Sequence, residues 1–572
     1  MEKYLSEIYP VHWLENILKK IEEKNVSKIT LATGKTPSGH IHIGILREII
    51  ICDSLKKILE RGKKRVQTLL FLDDLDAAKR FPKYIDSEFQ KEHLGKPFAL
   101  IPCPIKECNC DSYAFHFGNE LISSFKDFGI QEEIIWTHNL YKKKEMQEKI
   151  KIALENTELI KEILKKYILP TLDETKKDKF IEMQKSWMPV MAICEKCNRI
   201  QFVTKDGSIK PNRVLKYNEN KEEVSYLCSA CKNRGELSIY SGKMKLNWRV
   251  DWPAKWSIFN TTCEPAGKDH CVKGGSYDTG LELCQKVFDY IGPVKVAYEW
   301  LRLGEYDMKT SKGIVFIPYK YLEIADPELF RMLILRTNPS KHISLRIEEI
   351  LQYNDYYEKM ENIYFNLDKA ESEEENNNFK FMYPLTKING IPDEKPKKIP
   401  LKLLMFLSQV QNIISIEKLY QKTKSVIDIK NFEEIVTIEE FKYLLKRTEN
   451  WIEEVKKIIE NEKDETVKQN MLQKISIFSI PEKIDSKITN KLSQDQTKGL
   501  ILLKTFFMEN ENLDSNLIQT KIFTIAKEEL KISPSKLFEA IYQVIFGKKY
   551  GPKLGSFLSL IDKSWLLERL SI

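Results

Sequence analysis

The sequence predicts an α/β protein: a parallel sheet assembled from two separated stretches, a cysteine-rich insertion between them, and an all-α C-terminal domain. Three observations carry this expectation. A strand-type run, Val26 to Ala32, enters a turn rich in glycine and proline and leaves it as an apolar-periodic helix, about Ile43 to Glu60. Two CxxC pairs lie about thirty residues apart, between Cys194 and Cys231. From about Ile317 onward the pattern is helical, for example at Pro400 to Ile414, Thr437 to Asn461 and Leu500 to Asn510.

The chain has 572 residues, which at about 150 residues each suggests three to four domains. The expected segments are 1–100, the first half of the sheet domain; 101–245, the insertion; 246–318, the second half; and 319–572, the helical domain. Net charge is +8, from 91 basic and 83 acidic residues. That mild excess permits an anionic partner and excludes little. No apolar run approaches the roughly 20 residues that span a bilayer. The N-terminal stretch MEKYLSEIYPVHWLENILKK lacks the apolar segment of an export signal. A cytoplasmic protein without a membrane partner is expected. Eleven cysteines in such a chain point to reduced thiols and metal sites, with no disulfide-linked partner.

Residues 1 to about 25 read as an amphipathic helical lead-in. Thr33 to Arg47 follows, TGKTPSGHIHIGILR. Strand, glycine-rich turn and helix together form the phosphate-holding unit of a Rossmann-like sheet, because free backbone N–H groups and the positive helix end face outward there. His40 and His42 sit two apart at the helix mouth, where imidazole can donate to a phosphoryl group as its charge grows. Alone, such a pair reads as two solvated histidines; Gly34, Pro37, Gly39 and Gly44 around it favour phosphate chemistry. A second strand, Val66 to Leu72, delivers Asp73, Asp74 and Asp76 to the sheet's C-terminal edge, where ligands bind in doubly wound folds. A solvated acidic turn is the other reading.

In the insertion, Cys194, Cys197, Cys228 and Cys231 form two knuckles of two thiolates each, enough to complete a tetrahedron around zinc. Four protein ligands leave no open position, so the site is expected to be structural. RIQFVTKDGSIK and EEVSYLC between them look like short strands of a zinc ribbon. Cys103, Cys108, Cys110 and His116 offer ligands suited to a second zinc. Their irregular spacing also fits a few core cysteines. The charged, helix-forming stretch from Lys142 to Lys176 reads as a solvated face.

Residues 246 to 318 interleave aromatics with Asp251, Glu264, Asp269 and His270 and end in YDMKTSKG, whose lysines could hold phosphates. PSGHIHIG resembles the HIGH signature of class I aminoacyl-tRNA synthetases, with His42-Ile43-Gly44-Ile45 in its four positions and Ile45 replacing the final histidine. DMKTSKG resembles the KMSKS signature, read as Asp307-Met308-Lys309-Thr310-Ser311-Lys312, with Asp307 at the opening position. With SYAFHF, RVDWPAKW, EPAGKDH, KGGSYDTG, YEWL and the terminal FGKKYGPKLGSFLSLIDKSWLLERL, the chain closely resembles class I lysyl-tRNA synthetases, the form seen in archaea and some bacteria. The likeness runs in order over nearly the whole chain and is thin between about 360 and 540.

The resemblance implies a lysine–tRNA ligase using ATP with Mg²⁺, lysine and tRNA(Lys), with one or two structural Zn²⁺. Lysine's carboxylate would attack the α-phosphorus of ATP, and the lysyl group would pass to the 2′ hydroxyl of the terminal ribose. His40, His42 and Lys312 would be catalytic. His42, Gly44, Ile45, Asp269, Ser311 and Lys312 would hold ATP. Gly34 and Thr36 would contact lysine, with Trp248, His270 and Tyr298 as walls; without the family, Trp248 and Tyr298 read as core packing. Asp251, Asp269 and Glu299 are the candidates for the substrate ammonium. The helical segment would bind the anticodon, with Arg336, Lys341 and Arg346 available to tRNA phosphates. The polar stretch Ser372 to Asn378, with the KINGIPDEKPKKIP that follows it, reads as a connection. Two alternatives remain: a glutamate-type class I synthetase, which would place a cation in the amino-acid pocket, and a catalytically silent tRNA-binding paralogue, suggested by Ile45 and Asp307.

Overall fold

The computed structural model describes residues 12–308, 315–427, 429–475, 477–484, 486–511 and 513–571. Five strands form a wholly parallel sheet: β1 (Lys28–Lys35), β2 (Arg65–Leu72), β3 (Glu133–Trp136), β4 (Cys263–Gly267) and β5 (Val294–Tyr298). Their spatial order is β5-β4-β1-β2-β3. β1 is central, and its residues Ile29 to Thr33 are buried, as expected of a parallel strand covered on both faces. It pairs with β2 along its whole length and with β4 at Leu31 opposite Cys263. The order reverses at β1, so the crevice beyond the carboxyl ends of β1 and β4 is the topological switch point, the place where such sheets bind ligands.

After β1 the chain makes a short 3-10 turn, Ile43–Ile45, and enters helix α1 (Leu46–Arg61). Leu46, Ile49, Ile50, Leu55 and Leu59 bury its sheet-facing side. The insertion contributes α2 (Tyr113–Ser123), whose N-cap Ser112 accepts from Phe115 N–H, and the charged helices α3 (Lys144–Glu155) and α4 (Thr157–Ile168). It also holds a hairpin, Gln201–Val203 with Ile209–Pro211, and an antiparallel sheet of Arg213–Asn218, Glu223–Leu227 and Arg234–Ser238. These are the short strands expected around the CxxC pairs. The chain then returns through α5 (Trp248–Phe259), β4, α6 (Ser276–Val287) and β5.

The chain divides into two compact units. The first runs to Leu322 and includes Asp326–Arg346 and Tyr357–Asp393, so it takes in part of the segment beyond residue 319. The second contains Glu323–Ala325, Ile347–Tyr356 and Glu394 onward. Its regular structure beyond Glu394 is helical among the described residues. Leu407, Phe441, Leu445, Leu503, Ile541 and Phe557 belong to its core. Its longest helix, Ile438–Asn461, is capped by Thr437 and buries Phe441, Leu445, Ile452, Val455 and Ile459 at helical spacing.

Two local expectations are corrected. Ser372 to Asn378 is not a connection: Ser372 caps the helix Glu373–Thr386 by accepting from Glu375 N–H. Three glutamates then occupy the positive first turn, where the helix dipole favours them. The all-helical reading after Ile317 also misses the strand Ile343–Leu345, which pairs parallel with Leu301–Leu303 in the first unit. No helix among the described residues is long and apolar enough to cross a membrane.

Candidate active site

A cavity of about 630 Å³ opens at the carboxyl ends of β1, β2, β4 and β5. Gly34, Thr36, His42, Gly44, Ile45, Trp248, Asp269, His270 and Tyr298 all line it. His40 does not appear on its wall. Instead, His40 Nδ1 lies 2.8 and 2.9 Å from the two carboxylate oxygens of Glu120 on α2, and its backbone N–H donates to Tyr84 Oη (2.8 Å). Ser311 and Lys312 lie outside the described residues.

His42 caps the 3-10 turn. Its Nδ1 accepts from Gly44 N–H at 3.2 Å. Burial, reinforced by the nearby Lys35 ammonium, pushes its pKa down to about 3. The ring is therefore neutral near pH 7, with Nδ1 as acceptor and Nε2–H as donor. The backbone donors of this turn are less open than the sequence suggests. Ile43 N–H donates to Phe316 O (2.7 Å), and Gly44 N–H is held by the imidazole. An anion placed at this turn would therefore meet side chains more than these two backbone donors.

Beside the turn lies a charge network that composition could not reveal. Lys255 bonds Asp251 (2.8 Å) and also contacts Asp73; Lys245 bonds Asp76 (3.0 Å). The Thr36 hydroxyl donates to Asp76 (2.6 Å), and the Tyr141 hydroxyl donates to Asp251 (2.5 Å). Burial opposes charge on Asp251 and Asp76, yet the two lysines outweigh it and hold both carboxyls below the usual range. Burial prevails at Asp73, whose pKa rises to about 6. Asp74 turns inward and caps the turn Thr137–Leu140, accepting from Thr137 Oγ1 (2.8 Å) and His138 N–H (2.7 Å).

The far wall is aromatic. Trp248, Trp252 and Trp256 recur every fourth residue on α5, with neighbouring ring centroids 5.0 Å apart. Trp248 is 43% exposed and meets His270 edge-on at 5.2 Å, so it is not a core residue. Trp252 and Trp256 donate their indole N–H groups to Glu264 (2.8 and 2.6 Å). Burial raises Glu264 to about 7. Tyr298 donates its hydroxyl to Glu48 in the first turn of α1. Burial lifts Glu48 to about 8, against the opposing effects of Tyr298 and Lys35.

Of the three carboxylates expected to meet an ammonium, Asp251 is already paired with lysines, and Glu299 is held by Lys268 (2.7 Å) and His342 (3.4 Å). Glu48 makes no ion pair within 4.0 Å among the described residues. Glu48, Lys35, Lys245 and Lys255 do not stand out in the sequence. Only the four-residue step from Asp251 to Lys255 was a readable signal. Glu48 sits in an isoleucine-rich helix turn, and its charge looks solvated until the cavity is seen.

The four cysteines of the insertion form two matching knuckles. Asn198 and Lys232 follow their CxxC pairs in left-handed conformation and return N–H bonds to Cys194 O and Cys228 O. The Sγ atoms of Cys194 and Cys231 are 3.6 Å apart, and those of Cys197 and Cys228 are 3.7 Å apart. A tetrahedral Zn²⁺ with bonds near 2.3 Å needs edges of about 3.8 Å, so this donor set fits. Cys103, Cys108 and His116 also converge, as a group of three that could hold a metal ion. Cys110 Sγ lies 2.8 Å from Cys108 Sγ, closer than two thiolates sharing one zinc stand.

The family model described as tRNA synthetases class I (K) matches residues 11–389. A lysine–tRNA ligase from Methanocaldococcus jannaschii is 34% identical over 577 aligned residues, covering 98% of this chain and 100% of that protein. One from Methanococcus maripaludis is 32% identical, covering 98% and 100%, and one from Methanosphaera stadtmanae 30% identical, covering 98% and 99%. A chain that this family's model matches over most of its length, and that has relatives of 30–34% identity along 98% of it, belongs to the class I (K) tRNA synthetases.

Proposed function

We propose that the chain is a lysine–tRNA ligase acting in the cytoplasm, which activates lysine with MgATP and passes it to the terminal ribose of tRNA(Lys). Relatives named as lysine–tRNA ligases, matched over their full length, support this. The observation that carries it is Glu48, a buried carboxyl on the cavity wall that makes no ion pair within 4.0 Å among the described residues. A lysine ε-ammonium binding there would supply the missing charge. Tyr298 orients the carboxylate, and Trp248 with His270 covers the methylene stem. Gly34 and Thr36 flank the amino acid at the end of β1.

In the first step a carboxylate oxygen of lysine bonds to the α-phosphorus, the bond to the bridging oxygen breaks, and pyrophosphate leaves with its electron pair. No proton moves, so the protein's task is alignment and charge stabilisation. His42 Nε2–H donates to the phosphate; Gly44, Ile45 and Asp269 frame the nucleotide. Ser311 and Lys312 are assigned to the β- and γ-phosphates. His40, fixed by Glu120, supports the turn from outside the cavity. Cys194, Cys197, Cys228 and Cys231 hold one structural zinc, and the converging Cys103, Cys108 and His116 are assigned a second, with Cys110 beside them. The second compact unit would read the anticodon.

Exchange of labelled pyrophosphate into ATP, with tRNA(Lys) present, tests the reading. Exchange with lysine and not with glutamate or glutamine is expected. Exchange with glutamate alone would assign the glutamate-type activity instead. Silence with every amino acid, while tRNA still binds, would mark a non-catalytic paralogue.

A further inference from the structure

Lys35 ends the central strand, and its side chain lines the cavity. Its ammonium makes no hydrogen bond or ion pair among the described residues. The two other buried lysines of this cavity are committed, Lys245 to Asp76 (3.0 Å) and Lys255 to Asp251 (2.8 Å). A half-buried cation with no hydrogen-bonded partner loses hydration that the nearby Glu48 carboxyl repays only in part. Accordingly, burial lowers the Lys35 pKa, with Glu48 the opposing influence. A site that keeps such a group is prepared for an anion.

Its surroundings indicate which anion. Lys35 lies close enough to His42 to help hold that ring neutral. The backbone N–H groups of Ile43 and Gly44 are already taken by Phe316 O and His42 Nδ1. Asp307, at the position where a synthetase of this class would open its loop with lysine, is an anion bonded to Arg302 (2.9 Å). Among the described residues that line the cavity, Lys35 brings positive charge to the helix mouth from the strand side.

We propose that Lys35 is a further catalytic residue of the activation step, its ammonium donating to a non-bridging oxygen of the ATP α-phosphate as negative charge builds there. This rests on the lysine–tRNA ligase reading. The ammonium keeps its proton throughout; it stabilises the five-coordinate arrangement between attack by the lysine carboxylate and departure of pyrophosphate.

The test compares the full-length parent with Lys35→Met and Lys35→Arg, in lysine-dependent pyrophosphate exchange with tRNA(Lys) present and in calorimetric titration with lysine alone. Lys35→Met is expected to lower the exchange kcat about 100-fold, the usual loss for one transition-state donor. Its lysine Kd should stay within about threefold, and Lys35→Arg should recover about tenfold of the rate. If Lys35→Met melts early, Lys35→Gln takes its place in the comparison. A variant exchanging within about threefold of the parent, or one whose lysine Kd shifts by the same factor as its rate, overturns the inference and leaves the ligase reading standing. A parent that exchanges with no amino acid overturns the ligase reading and this inference with it.

Discussion

Gly44 and His42 are fitted to one another: a Cβ placed on Gly44 would lie 2.8 Å from His42 Nδ1 and 2.9 Å from Cε1. The glycine is needed for what it lacks, because any side chain there would push the imidazole off the N–H that fixes its tautomer. Gly44→Ala should lower the pyrophosphate-exchange kcat by about 100-fold, the scale of one lost donor. Stability should change by less than about 1 kcal/mol, since alanine favours the helical start. Exchange assays beside thermal melts check both. Unaltered exchange would mean that the ring is not needed where it stands.

Glu48 should confer a pH dependence on lysine binding. Its carboxyl, raised to about 8 by burial, faces Tyr298, Lys35, Glu264 and the N–H of Gly34. Below about pH 8 it is protonated, so an ammonium must displace that proton. Lysine affinity should therefore rise with pH up to about 8 and then level. Calorimetry near pH 6.5 in two buffers of different ionisation enthalpy should detect proton release, and Glu48→Gln should abolish it while weakening binding on the order of 2 kcal/mol. For folding the sign is opposite. The folded state holds a proton that the unfolded chain loses near the ordinary 4.5, so this group's contribution to stability falls as pH rises from about 4.5 to 8.

Asp251 stands between two lysines and a tyrosine inside the protein. Asp251→Asn should destabilise the first compact unit by about 3 kcal/mol, because it strands Lys255 with one fewer counter-charge in a buried place. Urea unfolding followed by circular dichroism measures this. A loss below about 1 kcal/mol would mean that the network relaxes toward water.

The knuckles predict metal content. Cys197→Ser should remove about one zinc per chain and expose the insertion to protease, since four-ligand sites contribute directly to folding. Cys108→Ser should remove a further equivalent. An unchanged zinc count in Cys108→Ser would identify that cluster as thiols alone.

The sheet was legible because β1 and β2 are dense in β-branched and apolar residues and β1 runs into a glycine-rich turn. The knuckles were legible because CxxC spacing is itself a geometry. The partners of the charged groups were not. Nothing local distinguishes Glu48 or Lys35 from a solvated residue, and Lys245 meets Asp76 only through a fold that joins distant segments. The polar run after Ser372 misled for a related reason: composition resembled a linker, while serine followed three residues on by glutamate is an N-terminal capping signal. Only the family resemblance marked Trp248 and Tyr298 as walls; by residue type alone they read as core packing, and both line the cavity.

The indoles of α5 form a stepped column whose outer member stands in solvent at the cavity mouth and whose inner member, Trp256, is sealed from it. Indoles whose centroids lie 5.0 Å apart share their excited states even when tilted, so covering Trp248 should alter the emission and the near-ultraviolet dichroism of the whole column. The enzyme thereby carries its own optical gauge of occupancy, one that can be watched without a label and before any chemistry begins.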